Sequence, residues 1–405
     1  MAQTITQQDQ TYLPPPAPPG AIKWLRDNLF KGWLNILLTL FSATFLYIAI
    51  SRSLVWLTQA DWTPVINFPI LFTVGQYPRE ELWRVGVGLS ALVFLLGLSW
   101  RTWGGLLRGV SLYAGAIFLV LGALPISHPA LSPGMRVFLL SLPATILLAY
   151  WLGGWKIFTQ VVVIALWVLY PFLGLILIRG FAGSAFLELV STTLWGGLLV
   201  TFVLSIGGIV LSFPIGVALA LGRRSQLPVV SAVSTVFIET IRGVPLVTLL
   251  FMFSVILALF LPPDSRLDRL LRALIAMTIF SAVYVAENVR GGLQAVPEGQ
   301  VEAARALGMN GVQITGLIVL PQALRVVIPA MVGQFISLFK DTTLVVIVGI
   351  NDFLGIGRSI VNSNPEYLQA QLEVYLFIAA VYWIFSYLMS LASRRLETSL
   401  GVGKR

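Results

Sequence analysis

Two clusters of charged and hydroxyl-bearing side chains lie within apolar stretches of this sequence. The first comprises Glu239, Arg242, Gly243 and Pro245. The second comprises Lys340, Asp341, Thr342 and Thr343. The spacing of Glu239 and Arg242 places both on one face of a helix, which the Gly and Pro that follow would open. A guanidinium binds carboxylates, and a carboxylate accepts hydrogen bonds from an ammonium group. Both clusters could therefore contact a charged solute.

The same residues could instead pair only with each other. A charge near the middle of a membrane costs at least ~2.5–3.5 kcal/mol, so each charged side chain needs a partner or a ligand. Pairing of Glu239 with Arg242, and of Lys340 with Asp341, would make broken helices tolerable without any solute. Both interpretations stay open on the residues alone.

The elements that hold these clusters are predicted to be membrane-spanning helices. Of the 405 residues, 57% are hydrophobic and 11% are charged, whereas soluble proteins have about 25% charged residues. Several apolar runs reach the ~20 residues that cross a bilayer. The absence of cysteine and the single histidine exclude disulfides, thiol catalysis and Cys/His metal clusters. The net charge of +9 is scattered between apolar runs, which favours loop charges that set topology over nucleic-acid binding.

Ten apolar segments are predicted to cross the membrane. The first five are 34–57, 85–100, 106–124, 137–152 and 157–178. The second five are 194–221, 229–261, 271–289, 314–339 and 374–391. Residues 340–373 form a mixed stretch that would fit a re-entrant segment or a short half-helix, and its part 351–367 is predicted to be a polar loop.

The remaining segments are loops and tails. Residues 1–33 are polar and proline-rich at 14–19, which predicts a disordered tail, and 401–405 form a second short tail. The loop at 58–84 is predicted to be structured and external. With the loop at 297–321 in the cytoplasm, both termini lie inside, and the inner loops carry an excess of Lys and Arg over Asp and Glu.

The stretch 297–321 is not composed like an ordinary loop. Pro297 suits the first position of a helix, and Glu298 places an acid in its first turn. Residues 302–307 are nearly all strong helix formers, and Gly308 suits a left-handed cap. A helix of about three turns, roughly 15 Å long, is therefore predicted.

This stretch resembles the EAA loop of permease subunits of ABC importers. The residues that carry the likeness are Glu302, Ala303, Ala304, Gly308, Ile318, Leu320 and Pro321. Three strings narrow the resemblance to permeases of polar and general L-amino-acid importers: ETIRGVPLVTLLF, AENVRGGLQAVPEGQVEAARALG and LFKDTTLVVIVG. The resemblance covers 184–400 and implies a five-helix core there. We therefore expect an all-α polytopic membrane protein in which 34–183 add about five transmembrane helices, interpreted as membrane bulk around the core.

The resemblance also implies a function and partners. It implies a permease subunit of an ATP-driven amino-acid importer in the inner membrane of a bacterium, with the translocation path in its core. Docking to a cytoplasmic ATPase would involve Glu302, Ala303, Ala304, Arg305, Gly308 and Pro321. The implied partners are an ATPase dimer that holds ATP and Mg, a second homologous permease and a periplasmic amino-acid-binding protein. The sequence has no GxxxxGK[ST] motif, so ATP hydrolysis is expected on another chain and this one is not expected to be an enzyme.

An amino-acid substrate would need an acceptor for its ammonium and donors for its carboxylate. Arg242 and the threonines could bind the carboxylate, and Glu239 or Asp341 the ammonium. Glu287 and Asn288 close the third core segment and are candidates for a gate, although Glu287 could instead belong to a surface ion pair. Two other classes are an ion-gradient-driven secondary amino-acid transporter and a membrane scaffold or receptor.

Overall fold

The computed structural model describes residues 20–123, 132–184, 186–260, 262 and 267–400. Helices account for most of these residues, and extended structure among them is confined to isolated bridges. The predicted all-α polytopic fold is confirmed. The proline-rich stretch at 14–19 and the expected tail at 401–405 lie outside the described residues.

The described residues up to 61 form a unit of their own. Its helices are α1 (Ala21–Leu29) and α2 (Trp33–Gln59). The helix α1 corrects the prediction of disorder throughout 1–33. Ile22, Leu25 and Leu29 recur at intervals of three and four, which gives a helix one apolar stripe in an otherwise polar segment. The helix α2 is apolar all round and has no buried residue, as expected of a helix surrounded by lipid.

The second unit begins at Trp62 with the loop that was predicted to be structured. This loop contains α3 (Thr63–Asn67), α4 (Pro69–Val74) and a 3₁₀ turn (Arg79–Glu81), so its predicted order is confirmed. A bundle follows, formed by α5 (Leu82–Trp103), α6 (Gly105–Ala123), α7 (Pro133–Leu152) and α8 (Gln160–Arg179). Together with α2, these helices coincide with the five apolar segments predicted before residue 184.

The core supplies the other helices. They are α9 (Gly197–Arg223), α10 (Pro228–Arg242), α11 (Leu246–Phe251), α12 (Leu257–Phe260), α13 (Arg269–Ala295), α14 (Glu298–Ala306), α15 (Gly311–Gln313), α16 (Leu320–Asp341), α17 (Phe353–Val361) and α18 (Gln371–Leu400). In the part of the chain that the structure describes, 8 helices are long and apolar enough to span a membrane, and a bent pair would make 9. The apolar part of α6, Leu107–Ala123, is shorter and corresponds to the remaining predicted segment.

Gly243 and Pro245 interrupt the second core segment as the sequence suggested. The helix α10 stops at Arg242, and the chain turns by 103° before α11 continues. Pro245 precedes the first residue of α11 and has no N–H to extend α10. A π-helix (Met252–Ile256) then joins α11 to α12.

The mixed stretch after α16 is more ordered than predicted. A 3₁₀ helix (Thr342–Val348) follows α16 and fits the expected half-helix. The prediction of a polar loop at 351–367 is wrong for the first half of that range, which forms α17. Phe353, Ile356 and Ile360 are spaced by three and four and make the buried face of α17. The carboxylate of Asp352 caps this helix by accepting from two backbone N–H groups.

The helix α13 packs along both α9 and α16 at close range. A Cβ on Gly216 of α9 would lie 2.7 Å from the carbonyl oxygen of Ala282 in α13. One on Gly292 of α13 would lie 2.5 Å from the carbonyl oxygen of Ala323 in α16. Small residues let the backbones approach this closely, as is common between membrane helices. These contacts fix where α13 presents Glu287.

Candidate functional site

The predicted helix of the EAA-like loop is α14, bounded by the residues that the sequence singled out. Pro297 is its N-cap, one position before the place that we predicted. Glu298 stands in the first turn, and the last helical residue is Ala306. Gly308 has φ +78°, so the predicted left-handed cap is present.

The helix α14 rests on the core by one narrow face. Ala304 is 4% exposed, whereas Glu302, Ala303 and Arg305 are exposed. The amide of Gln322 donates to the side chain of Gln300 at 3.0 Å, which ties α14 to α16. A cavity of about 510 Å³ lies between α14 and the ends of α9 and α13. Most of the surface of α14 is therefore free to contact another protein.

The chain leaves α14 through a helix whose first turns are irregular. Asn310 and Gln313 form a reciprocal capping box, with both hydrogen bonds at 2.9 Å. A π-helix (Ile314–Val319) follows and leads into α16. Pro321 lacks an N–H, so the carbonyl of Leu317 has no α-helical donor, which favours the wider turn. The exposed side chains of Leu307 and Val312 flank this joint, at 82% and 83% exposure.

Glu287 is the centre of a network of five charged side chains, the Glu287 network. Arg290 donates from Nε to both carboxylate oxygens at 3.0 Å, and its terminal nitrogen also contacts Oε1. Arg223, at the end of α9, lies 3.5 Å from Glu287 Oε2, and Arg242, at the end of α10, lies 3.6 Å from it. Arg223 also pairs with Glu239 at 2.9 Å. The network joins α9, α10 and α13, with three guanidiniums against two carboxylates.

This arrangement corrects the pairing expected from spacing. Glu239 contacts Arg223, and Arg242 contacts Glu287, so the two residues of α10 bond to other helices and not to each other. Helix packing outweighs the weak three-residue pair, because α10 lies against both α9 and α13. The guanidinium of Arg242 also lies over the ring of Tyr284, 5.9 Å from its centroid.

The second predicted cluster is not an ion pair either. Within the described residues, Lys340 and Asp341 are not among the ion pairs. Lys340 is exposed, Asp341 and Thr343 are half-buried, and only Thr342 is fully buried. The hydroxyl of Thr343 donates to the carbonyl of Lys340 at 2.8 Å, so it caps the local backbone. The cluster divides into an exposed charge and a buried hydroxyl.

Thr342 belongs to a buried network that we call the Asp352 network. Its hydroxyl lies 3.3 Å from the hydroxyl of Tyr382, which donates to Asp352 Oδ2 at 3.0 Å. The backbone N–H of Gly355 donates to Asp352 Oδ1 at 2.9 Å. Burial raises the pKa of the Asp352 carboxyl above its usual range, although these hydrogen bonds act in the opposite direction. Thr201 adds a bond from α9, since its hydroxyl accepts from the N–H of Phe353 at 3.1 Å.

The structure thus brings Glu239, Arg242 and Glu287 together and places Thr342 in a separate network. Asn288 is half-buried beside Glu287. Sequence reasoning missed Arg223, Asp352 and Tyr382 as members. Only Asp352 had a local signal, an Asp directly before an apolar run of helical period. The partners of the other two depend on tertiary packing.

The chain is similar to known proteins along nearly its whole length. A family model described as a binding-protein-dependent transport system inner membrane component matches residues 212–402. The glutamate/glutamine/aspartate/asparagine transport system permease protein BztC of Rhodobacter capsulatus is 35% identical over 450 aligned positions, which cover 99% of each chain. The inner membrane amino-acid ABC transporter permease protein YhdY of Escherichia coli is 35% identical over 402 positions, which cover 95% of this chain and 94% of that one.

A shorter relative matches half of this chain. The probable glutamine ABC transporter permease protein GlnP of Bacillus subtilis is 36% identical over 206 positions, which cover 50% of this chain and 92% of that one. The two long relatives therefore have counterparts for the N-terminal helices, whereas the short relative matches only half of this chain.

Proposed function

This chain belongs to the family of permease subunits of amino-acid ABC importers, and on that premise we propose how its residues serve import. It is a membrane-spanning transport component of an importer driven by ATP and not by an ion gradient. The observation that carries the proposal for its residues is α14, a short helix anchored by Ala304 and open on its other faces.

The EAA helix is the proposed docking element for the ATPase. Glu302, Ala303 and Arg305 supply its exposed surface, and Gly308 turns the chain so that Leu307 stays outside. An exposed apolar side chain beside a free helix is typical of a protein contact. Pro321 lies where the π-helix meets α16, so a displacement of α14 would pass directly into a core helix. The family implies an ATP-binding subunit and a substrate-binding partner.

The finer composition of the assembly is also a proposal. We expect an ATPase dimer that holds ATP and Mg, a second homologous permease and an amino-acid-binding protein on the opposite side of the membrane. The excess of positive charge in the loops on the α14 side supports a bacterial inner-membrane location with both termini and α14 in the cytoplasm.

The Glu287 network is the proposed inner gate. It holds the ends of α9 and α10 against α13, and these helices must separate if a path opens between them. We expect Arg242 to be released first, because it directly precedes the break at Gly243 and Pro245. The side chain of Glu287 is 24% exposed, so an entering carboxylate can compete with it for Arg242. Asn288 adds an amide beside the gate.

We propose glutamate, aspartate and their amides as substrates, since these are the solutes in the name of the long Rhodobacter relative. The excess guanidinium of the Glu287 network favours a solute with a carboxylate and disfavours a cationic side chain. Lys340 is the exposed cation of the second cluster, and Asp341 is a candidate acceptor for the ammonium. Thr342 and Thr343 act there through the local backbone and the Asp352 network.

The test of this function is uptake into proteoliposomes that contain the chain together with the partners that co-purify with it. Uptake of radiolabelled glutamate, glutamine, aspartate and asparagine should require enclosed ATP at the ATPase face and should persist with a protonophore. Lysine in excess should compete poorly. Uptake that proceeds without ATP and stops with the protonophore would contradict the proposal and indicate an ion-driven transporter.

A further inference from the structure

The loop between α2 and α5 is built into the end of the core that lies away from α14, which we call the distal end. Gly75, just after α4, forms an isolated bridge with Trp195, which lies two residues before α9 begins. The N–H of Gly196 donates to the carbonyl of Val74 at 3.2 Å. Backbone pairing of this kind requires contact without intervening side chains or lipid, so the loop is part of the core surface.

Two glycines make this contact possible. Gly75 has φ +68°, and a Cβ there would lie 2.6 Å from the Cα of Gly196. Gly197 has φ +61°, and its Cβ would lie 2.1 Å from the carbonyl oxygen of Phe72. Any larger residue at either position would push the loop away from the first turn of α9. The fit is therefore specific to these two segments.

An aromatic side chain fixes the loop to two further helices. Phe72 is 2% exposed and packs edge-to-face against Phe353 of α17 and Phe377 of α18, at centroid distances of 5.6 and 5.2 Å. The N–H of Gly197 donates to the carbonyl of Asn351 at 3.0 Å, just before α17. The loop thus contacts α9, α17 and α18 together.

The far end of the loop is anchored by buried polar groups. The hydroxyl of Tyr77 donates to the carbonyl of Ile178 at 2.7 Å, and burial raises the pKa of this hydroxyl to about 12. Arg84 is 0% exposed, pairs with Glu81 at 2.7 Å and donates to the carbonyl of Glu188 at 2.7 Å. A buried guanidinium with these partners holds a defined position.

The contact continues directly into the Asp352 network. Phe353, which packs on Phe72, donates its N–H to Thr201 of α9. The neighbouring residue, Asp352, accepts from the hydroxyl of Tyr382, which in turn lies within hydrogen-bond distance of the hydroxyl of Thr342. The position of Thr342, at the start of the 3₁₀ helix, therefore depends on how α9 and α17 are held at the distal end.

We propose that residues 63–84 are a brace that positions the distal end of the transport core, and Phe72, Gly75 and Gly197 are its positioning residues. This role rests on the proposed permease function. This role differs from the interpretation of the N-terminal segment as membrane bulk. A segment that only filled the membrane around the core would not form backbone hydrogen bonds with the residues that precede α9.

The test uses the absence of cysteine from the chain. Ile356→Cys supplies one reporter thiol, since Ile356 is 4% exposed and its side chain reaches Gly196. Gly75→Ala is made in this background to displace the brace. Gly104→Ala is the matched control, because Gly104 also has a positive φ of +59° but nothing lies within 4 Å of its Cβ position. The rate of thiol labelling is measured on purified protein, and KM and kcat are measured for uptake.

Gly75→Ala should raise the labelling rate of Cys at position 356 about tenfold, which corresponds to roughly 1.4 kcal/mol of easier local opening. It should also raise KM for the amino acid more than it lowers kcat. Gly104→Ala should change neither quantity more than about twofold. Phe72→Leu is the milder variant if Gly75→Ala does not accumulate, and it should shift both quantities in the same direction.

Unchanged labelling in Gly75→Ala and Phe72→Leu would overturn the brace. Faster labelling with normal KM would overturn its positioning role. Thiol labelling does not depend on transport. Absence of uptake in the unmodified protein would therefore count against the permease function, whereas the labelling rates would still test the brace.

Discussion

Glu287 shows how a single carboxylate can hold three helices. An exposed ion pair contributes only about 0–1 kcal/mol, because water and side-chain entropy offset the attraction. Glu287 has more partners than a single exposed ion pair provides, since both of its carboxylate oxygens bond to Arg290 and two further guanidiniums, those of Arg223 and Arg242, lie within 4 Å. The strength of the network comes from shared partners, and so it can be released by replacing one of them.

Charge exchange between Arg223 and Glu239 tests whether this network restrains α10. Arg223→Glu and Glu239→Arg each place like charges together and should raise ATP hydrolysis without substrate about twofold to fivefold, for roughly 0.5–1 kcal/mol lost. The double exchange should return hydrolysis only part of the way to the original value, because it restores the pair between positions 223 and 239 but leaves a glutamate beside Glu287. Arg394→Glu, at an exposed arginine of α18, is the control. A double variant that is worse than either single one would refute the restraint.

Substitutions at Ala304 test whether the contact of α14 with the core matters for coupling between ATP hydrolysis and transport. Ala304→Asp would place a carboxylate in a 4% exposed position, at a cost of about 1–3 kcal/mol. We expect this variant to insert normally but to lose stimulation of ATP hydrolysis by substrate. Ala304→Ser, which is close in volume and can bond to the backbone, should keep most of it. Full stimulation in Ala304→Asp would mean that α14 need not rest on the core.

Elements that depend on local pattern could be predicted from the sequence, and elements that depend on tertiary contacts could not. The apolar runs predicted most ends of the long helices to within about four residues, although α13 and α18 continue six and nine residues beyond the predicted segments. Gly308 indicated the end of α14, because glycine adopts the positive φ that this cap requires. The helices α1 and α17 were missed because their apolar stripes are short and lie among polar residues. The contacts of Arg223 and Tyr382 have no local signal, since each partner is distant in sequence.

Asp352 provides a pH test at the element scale. Its folded pKa is raised by burial, so the folded state binds more protons than the unfolded state, and stability contributed here falls as pH rises through the ordinary Asp value of ~3.9 toward the folded value. Asp352→Asn can still cap α17 but does not ionise. The Tm of the original protein minus that of Asp352→Asn should therefore fall with rising pH across this window. A flat or rising difference would contradict the assignment.

At the scale of the whole unit that begins at Trp62, the loop before α5 and the core are joined and not merely adjacent. Backbone contacts at Gly75 and Gly197 tie the loop after residue 61 to the distal end, while α14 projects at the other end. A force applied to α14 would pass along α16 and α13 toward helix ends that the brace holds. This unit therefore has one end that we propose responds to an ATPase and one end that we propose stays in place.

The most direct test of the central claim is affinity purification of the chain from its native membrane in mild detergent. Gly308→Val puts a β-branched residue at φ +78°, which destroys the cap of α14 without a steric contact. Gly104→Val, the control, also puts a β-branched residue at a positive φ, +59°, far from α14 in sequence. An ATP-binding subunit should co-purify with the original chain and with Gly104→Val and be lost from Gly308→Val. Equal recovery of the ATPase with both variants, or its absence from the original chain, would contradict docking through the EAA helix.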